Sequence, residues 1–218
     1  MIRIVLADDQ ALLRAGLRSV LSAEEDLIVV GEASDGSQAA RTAKALDADV
    51  VLMDIQMPGV DGIEGVRRVV AAGSRAKVLM LTMFDLDEYV YGALQAGASG
   101  FLLKSAQPEE IVRAVREVHD GSLLFSPTVT KRLVEAFVRT PPPAEGVPKA
   151  LAALTERELD VVAGIARGLS NAEIGAELFL GETTVKAHVS HILSKLDLRD
   201  RVQVVVLAYE SGFVGHQA

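Results

Sequence analysis

Cysteine is absent from all 218 residues. Disulfides and thiolate metal sites are therefore excluded, which suits a reducing compartment. No run approaches the roughly 18 apolar residues of a membrane span, and Ile2-Arg3-Ile4-Val5 enters a strand at once without a signal-peptide pattern. A soluble, cytoplasmic protein with no membrane segment is the expectation. A basic domain is missing as well. The net charge is −8, with 12 Lys/Arg against 19 Asp/Glu in residues 1–121, 4 against 2 in 122–149 and 6 against 9 in 150–218. Indiscriminate nucleic-acid binding is thereby disfavoured.

What is present is enough apolar material for two cores: half the residues are hydrophobic, and the length exceeds one domain of about 100–150 residues. The stretch Val50-Val51-Leu52-Met53-Asp54 ends an apolar run on a single acid, and Pro58-Gly59 then stops extension. Four apolar residues in a row fit a strand covered on both faces, as in a parallel sheet. The same unit recurs along residues 1–121. Strands are expected at 2–7, 28–33, 50–54, 77–82 and 100–104, with helices near 11–21, 36–46, 61–72, 86–95 and from Pro108 onward. Alternating strands and helices with short connections predict a five-stranded doubly wound α/β domain, flavodoxin-like, with its ligand crevice beyond the carboxyl ends of the strands.

Asp8, Asp9, Asp54, Thr82 and Lys104 all fall at those ends. Three converging carboxylates repel one another unless a cation is present, and a hard oxygen donor set without His or Cys favours Mg²⁺. Lys104 adds a movable ammonium and Thr82 a hydroxyl donor. Together these groups describe phosphoryl transfer to a carboxylate. Singly, each has a plainer reading, as a helix cap, a β-branched strand residue or a solvated strand end. Phe84, two residues after Thr82, is expected at the rim of the crevice.

Residues 1–121 resemble the receiver domain of bacterial two-component response regulators, through Asp8-Asp9, the run Met53-Asp-Ile-Gln-Met-Pro-Gly59, Thr82 and Phe101-Leu-Leu-Lys104. The resemblance implies that Asp54 takes a phosphoryl group from a sensor histidine kinase. Asp8, Asp9, Asp54 and the backbone carbonyl of Gln56 would hold Mg²⁺, directly or through water. Lys104 would contact a phosphoryl oxygen, Thr82 would shift toward it, and Phe101 would occupy the aromatic switch position. A haloacid-dehalogenase type of enzyme also uses a strand-end Asp, but wants a second Asp two residues on, where this chain has Gln56. A regulator that ignores phosphate is a further alternative.

Residues 122–149 read as a linker, with a short helix within 127–138 and a semi-rigid Thr140-Pro-Pro-Pro143 stretch. Residues 150–218 then start helices through capping boxes at Thr155/Glu158 and Ser170/Glu173, each with a hydrophobic staple. A tight Phe179-Leu180-Gly181 turn precedes a third helix over 182–196, the spacing of a helix-turn-helix, and Asp200 starts a fourth that Gly212 ends. On the third helix Val185, Val189, Ile192, Leu193 and Leu196 share one face. Thr183, Ala187, Ser190, His191 and Ser194, with Lys186 and Thr184 at the margins, make the opposite, small and polar face that a major groove admits.

This part resembles the LuxR-type four-helix domain, through Leu154-Thr-Glu-Arg-Glu158, Gly168-Leu-Ser-Asn-Ala-Glu-Ile174 and Thr184-Val-Lys-Ala-His-Val189. With the receiver it resembles the NarL/FixJ family: a transcription factor, not an enzyme, that binds double-stranded operator DNA as a homodimer on activation. The sequence departs from the commoner pattern at Gly181, Ala172 and Ser190. The fourth helix looks more apolar than a small core needs, so Val204 is expected on a dimerisation surface.

Overall fold

The computed structural model describes residues 1–83, 87–121 and 148–214. The expected helix within 127–138, the triple proline and Phe84 lie outside the described residues. The chain divides into two compact units, Met1–Leu123 and Leu124–Ala218.

The first unit alternates β1 (Ile2–Ala7), α1 (Ala11–Leu21), β2 (Leu27–Ala33), α2 (Gly36–Ala45), β3 (Val50–Asp54), α3 (Gly62–Ala71), β4 (Lys77–Thr82), α4 (Asp87–Ala96), β5 (Gly100–Leu103) and α5 (Pro108–Asp120). The strands are parallel in the order β2-β1-β3-β4-β5. Period-two alternation splits the strand residues between two faces. Val5, Ala7, Val51, Met53, Val78 and Met80 join the buried layer that includes Ala39, Ala40 and Ala43 of α2 and Val66 and Val69 of α3. Ile4, Leu6, Leu52 and Leu79, offset by one residue, are wholly buried outside that layer. Each such Leu or Ile stabilises the fold by about 1.5–3 kcal/mol. The pairings Ala7 with Met53, Met53 with Met80 and Asp54 with Leu81 level the carboxyl ends of β1, β3 and β4. The order reverses between β1 and β3, and this switch point is where the crevice opens.

Local chemistry starts the helices. Asp35 Oδ1 accepts from Gln38 N and Asp61 Oδ1 from Glu64 N, each at 2.8 Å, caps of about 1 kcal/mol. In α1 the buried positions are Leu17 and Leu21. Leu12, which the apolar spacing assigns to the helix face, is 87% exposed, because Leu13, about 100° further round the helix, starts the row that Leu17 and Leu21 continue.

Two helices meet through glycine. A Cβ on Gly65 of α3 would lie 2.8 Å from Gly36 Cα of α2 and 2.8 Å from Met53 Sδ. A Cβ on Gly62 would lie 2.0 Å from the carbonyl oxygen of Asp54. Glycine is required at both by close backbone approach.

The second unit contains a 3₁₀ turn (Lys149–Leu151), α6 (Glu156–Ala166), α7 (Asn171–Leu178), α8 (Glu182–Leu196) and α9 (Arg201–Glu210). Both capping boxes form. Thr155 N donates to Glu158 Oε2 at 2.8 Å and Ser170 N to Glu173 Oε2 at 2.7 Å, with the reverse bonds at 3.3 and 3.1 Å. Between α7 and α8 the left-handed residue is Phe179, at φ 57°. Leu180 N then donates to Gly175 O at 2.8 Å, and a Cβ on Gly175 would meet Leu180 O at 2.7 Å. The turn is tight because Gly175 has no side chain.

Val204 corrects an expectation. It is 1% exposed and packs in one core with Leu151, Leu154, Val161, Ile165, Ile174, Val185 and Ile192. Helix α9 lies against both α6 and α8, so Val204 faces this core and cannot serve as an exposed dimer contact. The apolar excess is used up inside the unit: Val202, Val205, Val206 and Ala208 are buried too.

Gly65→Ala forces a methyl into the α2–α3 contact. Overpacking of this kind costs about 1–3 kcal/mol, so calorimetry is expected to show a lower melting temperature for the receiver transition.

Candidate functional site

The level strand ends deliver an acidic crevice. Asp8 follows β1 directly and is 1% exposed; Asp54 closes β3 and is 5% exposed. Lys104 follows β5, and its amide donates to Thr82 O at 2.7 Å. Its ammonium is buried, 2.6 Å from Asp8 Oδ2 and 2.8 Å from Asp54 Oδ2. A cleft of about 630 Å³ opens over these groups, with Asp9, Gln56, Thr82 and Met83 among its walls.

Burial pushes the Asp54 carboxyl above its usual range, against the pull of the Lys104 ammonium and the Gln56 amide. Burial also disfavours the charge on Lys104, but its bonds to Asp54 and Asp8 outweigh that and hold its pKa above the ordinary lysine value. The two carboxylates thus favour the charge on Lys104, while Lys104 offsets only part of what burial and Asp8 impose on Asp54.

The crevice brings together Asp8, Asp9, Asp54, Thr82 and Lys104. Asp9 is exposed, as is the side chain of Gln56, while Thr82 is buried. Phe101 sits on β5, half-buried, and packs with Tyr89 against the methionine-containing layer. The sequence reading missed Met83, Ile63 and Tyr89, which line the cleft. Met83 carried a weak signal as the first residue past β4. Tyr89 and Ile63 carried none, because helical spacing does not separate a core residue from a crevice wall.

Asp8, Asp9 and Asp54 each offer an oxygen, all within 4.8 Å of one another. Among the described residues the buried Oδ2 of Asp8 has the Lys104 ammonium as its one polar partner. A buried carboxylate oxygen neutralised by a cation on a flexible stem, within an all-oxygen donor set, fits a hard divalent cation.

In the second unit α8 turns Val185, Val189 and Ile192 into the core and leaves Thr183, Thr184, Lys186, Ala187, Ser190 and His191 exposed. Its lysines are engaged. Lys186 Nζ lies 3.1 Å from Glu182 in an exposed i,i+4 pair, and Lys195 Nζ lies 2.7 Å from Glu158 Oε2. The Ser190 hydroxyl donates to Lys186 O at 3.1 Å. The helix starts at Gly181, which offers no side-chain cap.

Residues 4–116 match the response regulator receiver domain family, and residues 152–208 match the bacterial regulatory proteins of the luxR family. The chain belongs to the LuxR-type two-component response regulators. It is 41% identical over 214 residues to the transcriptional regulatory protein LiaR of Bacillus subtilis (strain 168), across 98% of this chain and 100% of LiaR. It is 37% identical to the oxygen regulatory protein NreC of Staphylococcus carnosus (strain TM300), across 94% and 96%. Among solved structures it resembles the response regulator ChrA of a heme-sensing two-component system, at 38% identity and TM-score 0.52, covering 98% of each chain. The receiver domain of the putative response regulator NarL of Mycobacterium tuberculosis matches at 42% identity and TM-score 0.53, covering 55% of this chain and 97% of that one. The family consists of DNA-binding transcriptional regulators, not enzymes, so the dehalogenase alternative falls. No described helix of the regulator is long and apolar enough to cross a membrane.

Glu158 does two jobs in this regulator. One carboxylate, 4% exposed, closes the cap of α6 and holds Lys195 at the far end of α8. Burial raises its pKa, but the bonds from Lys195 and Thr155 outweigh burial and hold it below the ordinary glutamate value of 4.5. A depressed carboxyl stabilises the fold above its unfolded pKa and loses that contribution as the pH falls through its folded one. Glu158→Gln is therefore expected to cost about 1–3 kcal/mol near pH 7 and to weaken the decline in melting temperature of the DNA-binding unit below about pH 4.5. Melts of both proteins across that range check it; parallel curves would remove Glu158 from the acid response.

Proposed function

We propose that Asp54 accepts a phosphoryl group from a sensor histidine kinase and that the phosphorylated regulator binds operator DNA as a homodimer. The observation that carries this reading is the buried contact of Asp54 with Lys104 at the floor of the acidic cleft. A carboxylate oxygen of Asp54 attacks phosphorus as the phosphorus–nitrogen bond of a phosphohistidine breaks, leaving an acyl phosphate. Asp8, Asp9, Asp54 and the Gln56 carbonyl would hold Mg²⁺, which when bound neutralises charge on the phosphoryl oxygens. Lys104 then exchanges a carboxylate partner for a phosphoryl oxygen, and the Thr82 hydroxyl donates to another. Phe101, half-buried on β5 opposite Met80, answers the movement of Thr82. The site works in the cytoplasm, where both a kinase domain and genomic DNA are within reach.

On α8, Thr183, Thr184, Lys186, Ala187, Ser190 and His191 face the major groove. Exposed ion pairs are weak, so Lys186 can leave Glu182 for a phosphate, whereas Lys195 is committed to a buried partner. One copy can then neutralise few phosphates, and the salt slope of log K is about −0.9 for each. Two copies on half-sites about one helical turn apart add their contacts.

Asp54→Ala is expected to abolish labelling by a small phosphodonor, while Lys104→Ala keeps measurable labelling but uncouples it from DNA binding. Stoichiometric labelling of the Asp54→Ala protein would remove Asp54 from its role. The phosphorylated regulator should bind its operator as a dimer with roughly double the salt slope of the unphosphorylated one. Equal affinity and slope in both states would mean that the receiver does not control DNA binding this way.

A further inference from the structure

The peptide that joins Asp8 to Asp9 is gripped from outside the acidic crevice. The flanking atoms of Asp8 are held as well: its amide, in the preceding peptide, donates to Ala33 O at 3.2 Å, and its side-chain Oδ1 accepts from Gln10 N at 2.8 Å. The carbonyl oxygen of Asp8 accepts from a guanidinium nitrogen of Arg14, one turn into α1, at 2.6 Å. A second nitrogen of the same guanidinium, Nε, donates to Glu32 Oε2 on β2 at 2.9 Å. The other oxygen of Glu32 takes Arg18, with contacts of 2.9 and 2.7 Å. Both arginines hold the Glu32 carboxyl below its ordinary value.

The arrangement answers a problem the crevice creates. Asp9 is exposed, and a turn of the Asp8–Asp9 peptide plane would swing its carboxylate away from Asp8 and Asp54. A cation beside three acids is also a competitor for them: a guanidinium loose at this spot would occupy the carboxylates itself and repel a divalent ion. Glu32 accepts from Nε of Arg14 and offsets part of its charge, while Nη1 goes to a carbonyl and not to an acid. A planar fork can serve the two acceptors at once; an ammonium on a flexible stem is a single point charge.

We propose that Arg14 is a positioning residue for the divalent cation, fixing the Asp8–Asp9 peptide so that both carboxylates face the crevice together, with Glu32 and Arg18 keeping its guanidinium turned away from them. The proposal rests on the cation reading of the acidic site. It assigns a role to an ion-pair chain on α1 and β2 that lies behind the ligands and touches neither phosphate nor metal.

The test is calorimetric titration of the unphosphorylated full chain with MgCl₂, for the native protein and for Arg14→Met, Arg14→Lys and Glu32→Gln. Melting temperatures are taken in EDTA, where a merely structural tie between α1 and β2 would act. Outer-shell partners of metal ligands typically govern affinity by about 10–100-fold. Arg14→Met is expected to weaken Mg²⁺ binding by that factor, Glu32→Gln to weaken it as well, and Arg14→Lys to fall between Arg14→Met and the native protein. If Arg14→Met does not fold, Arg14→Lys and Glu32→Gln carry the comparison. Native affinity in the folded variants, whatever their melting temperatures, would overturn the positioning role. A native protein that takes up no Mg²⁺ would overturn the reading of the acidic site itself, and the role of Arg14 with it.

Discussion

Two carboxylates, Asp8 and Asp54, and the Lys104 ammonium that contacts both at 2.6 and 2.8 Å are taken out of water at the carboxyl edge of one sheet. Removing charges from water is expensive, and their mutual attraction repays it only when the geometry is tightly held. Much of the receiver serves that geometry. The register of β1, β3 and β4 levels the three strand ends, β5 places Lys104 opposite the acids, and Gly62 lets α3 start against the Asp54 carbonyl without pushing it aside. The ammonium is bound to what it would have to release when a phosphoryl group arrives. Structural cost and signalling capacity are in this way properties of the same three atoms.

The DNA-binding unit solves a different electrostatic problem. With more acids than bases in residues 150–218, it cannot rely on long-range attraction to DNA. Both lysines of α8 already have carboxylate partners, yet the two pairs differ in kind. Glu182–Lys186 is exposed on both sides, so water and salt screen it. Glu158–Lys195 has one buried partner, and its loss would leave a capped helix start without its carboxylate.

How much of this was legible in the sequence follows from the range of the forces involved. The strands, the helix caps and the acids at strand ends were readable because each is written locally, in apolar runs, in Ser/Thr/Asp three residues before an acid or amide, or in a single polar residue closing a run. The repeat and right-handed crossovers pointed to a five-stranded doubly wound sheet, whose order β2-β1-β3-β4-β5 the structure supplies. The chain of Arg14, Glu32 and Arg18 was not readable, since its partners are 18 and 14 positions apart and nothing local marks them. Val204 was misplaced for a related reason. Period counting on α9 assumes that one face suffices, whereas this helix is packed against two others and buries most of its circumference. Leu12 shows the opposite error: an apolar residue near the start of a helix, one position off the buried row, that the fold leaves in solvent.

Gly36 of α2 meets Gly65 of α3, and alanines 39, 40 and 43 of α2 lie in the same buried layer, residues that have no side-chain torsion to rearrange. Valine, the other common residue in this layer, has one strongly preferred rotamer in a helix. Methionine is the exception, an unbranched thioether that can repack without changing volume. The methionines of the layer, Met53, Met57 and Met80, are adjacent to Asp54 in sequence or two or three positions from Asp54 or Thr82. The layer is therefore rigid along its helix seam and plastic beside Asp54. A displacement that begins there can be taken up by sulfur-containing side chains, while α2 and α3 move, if they move, as a single body.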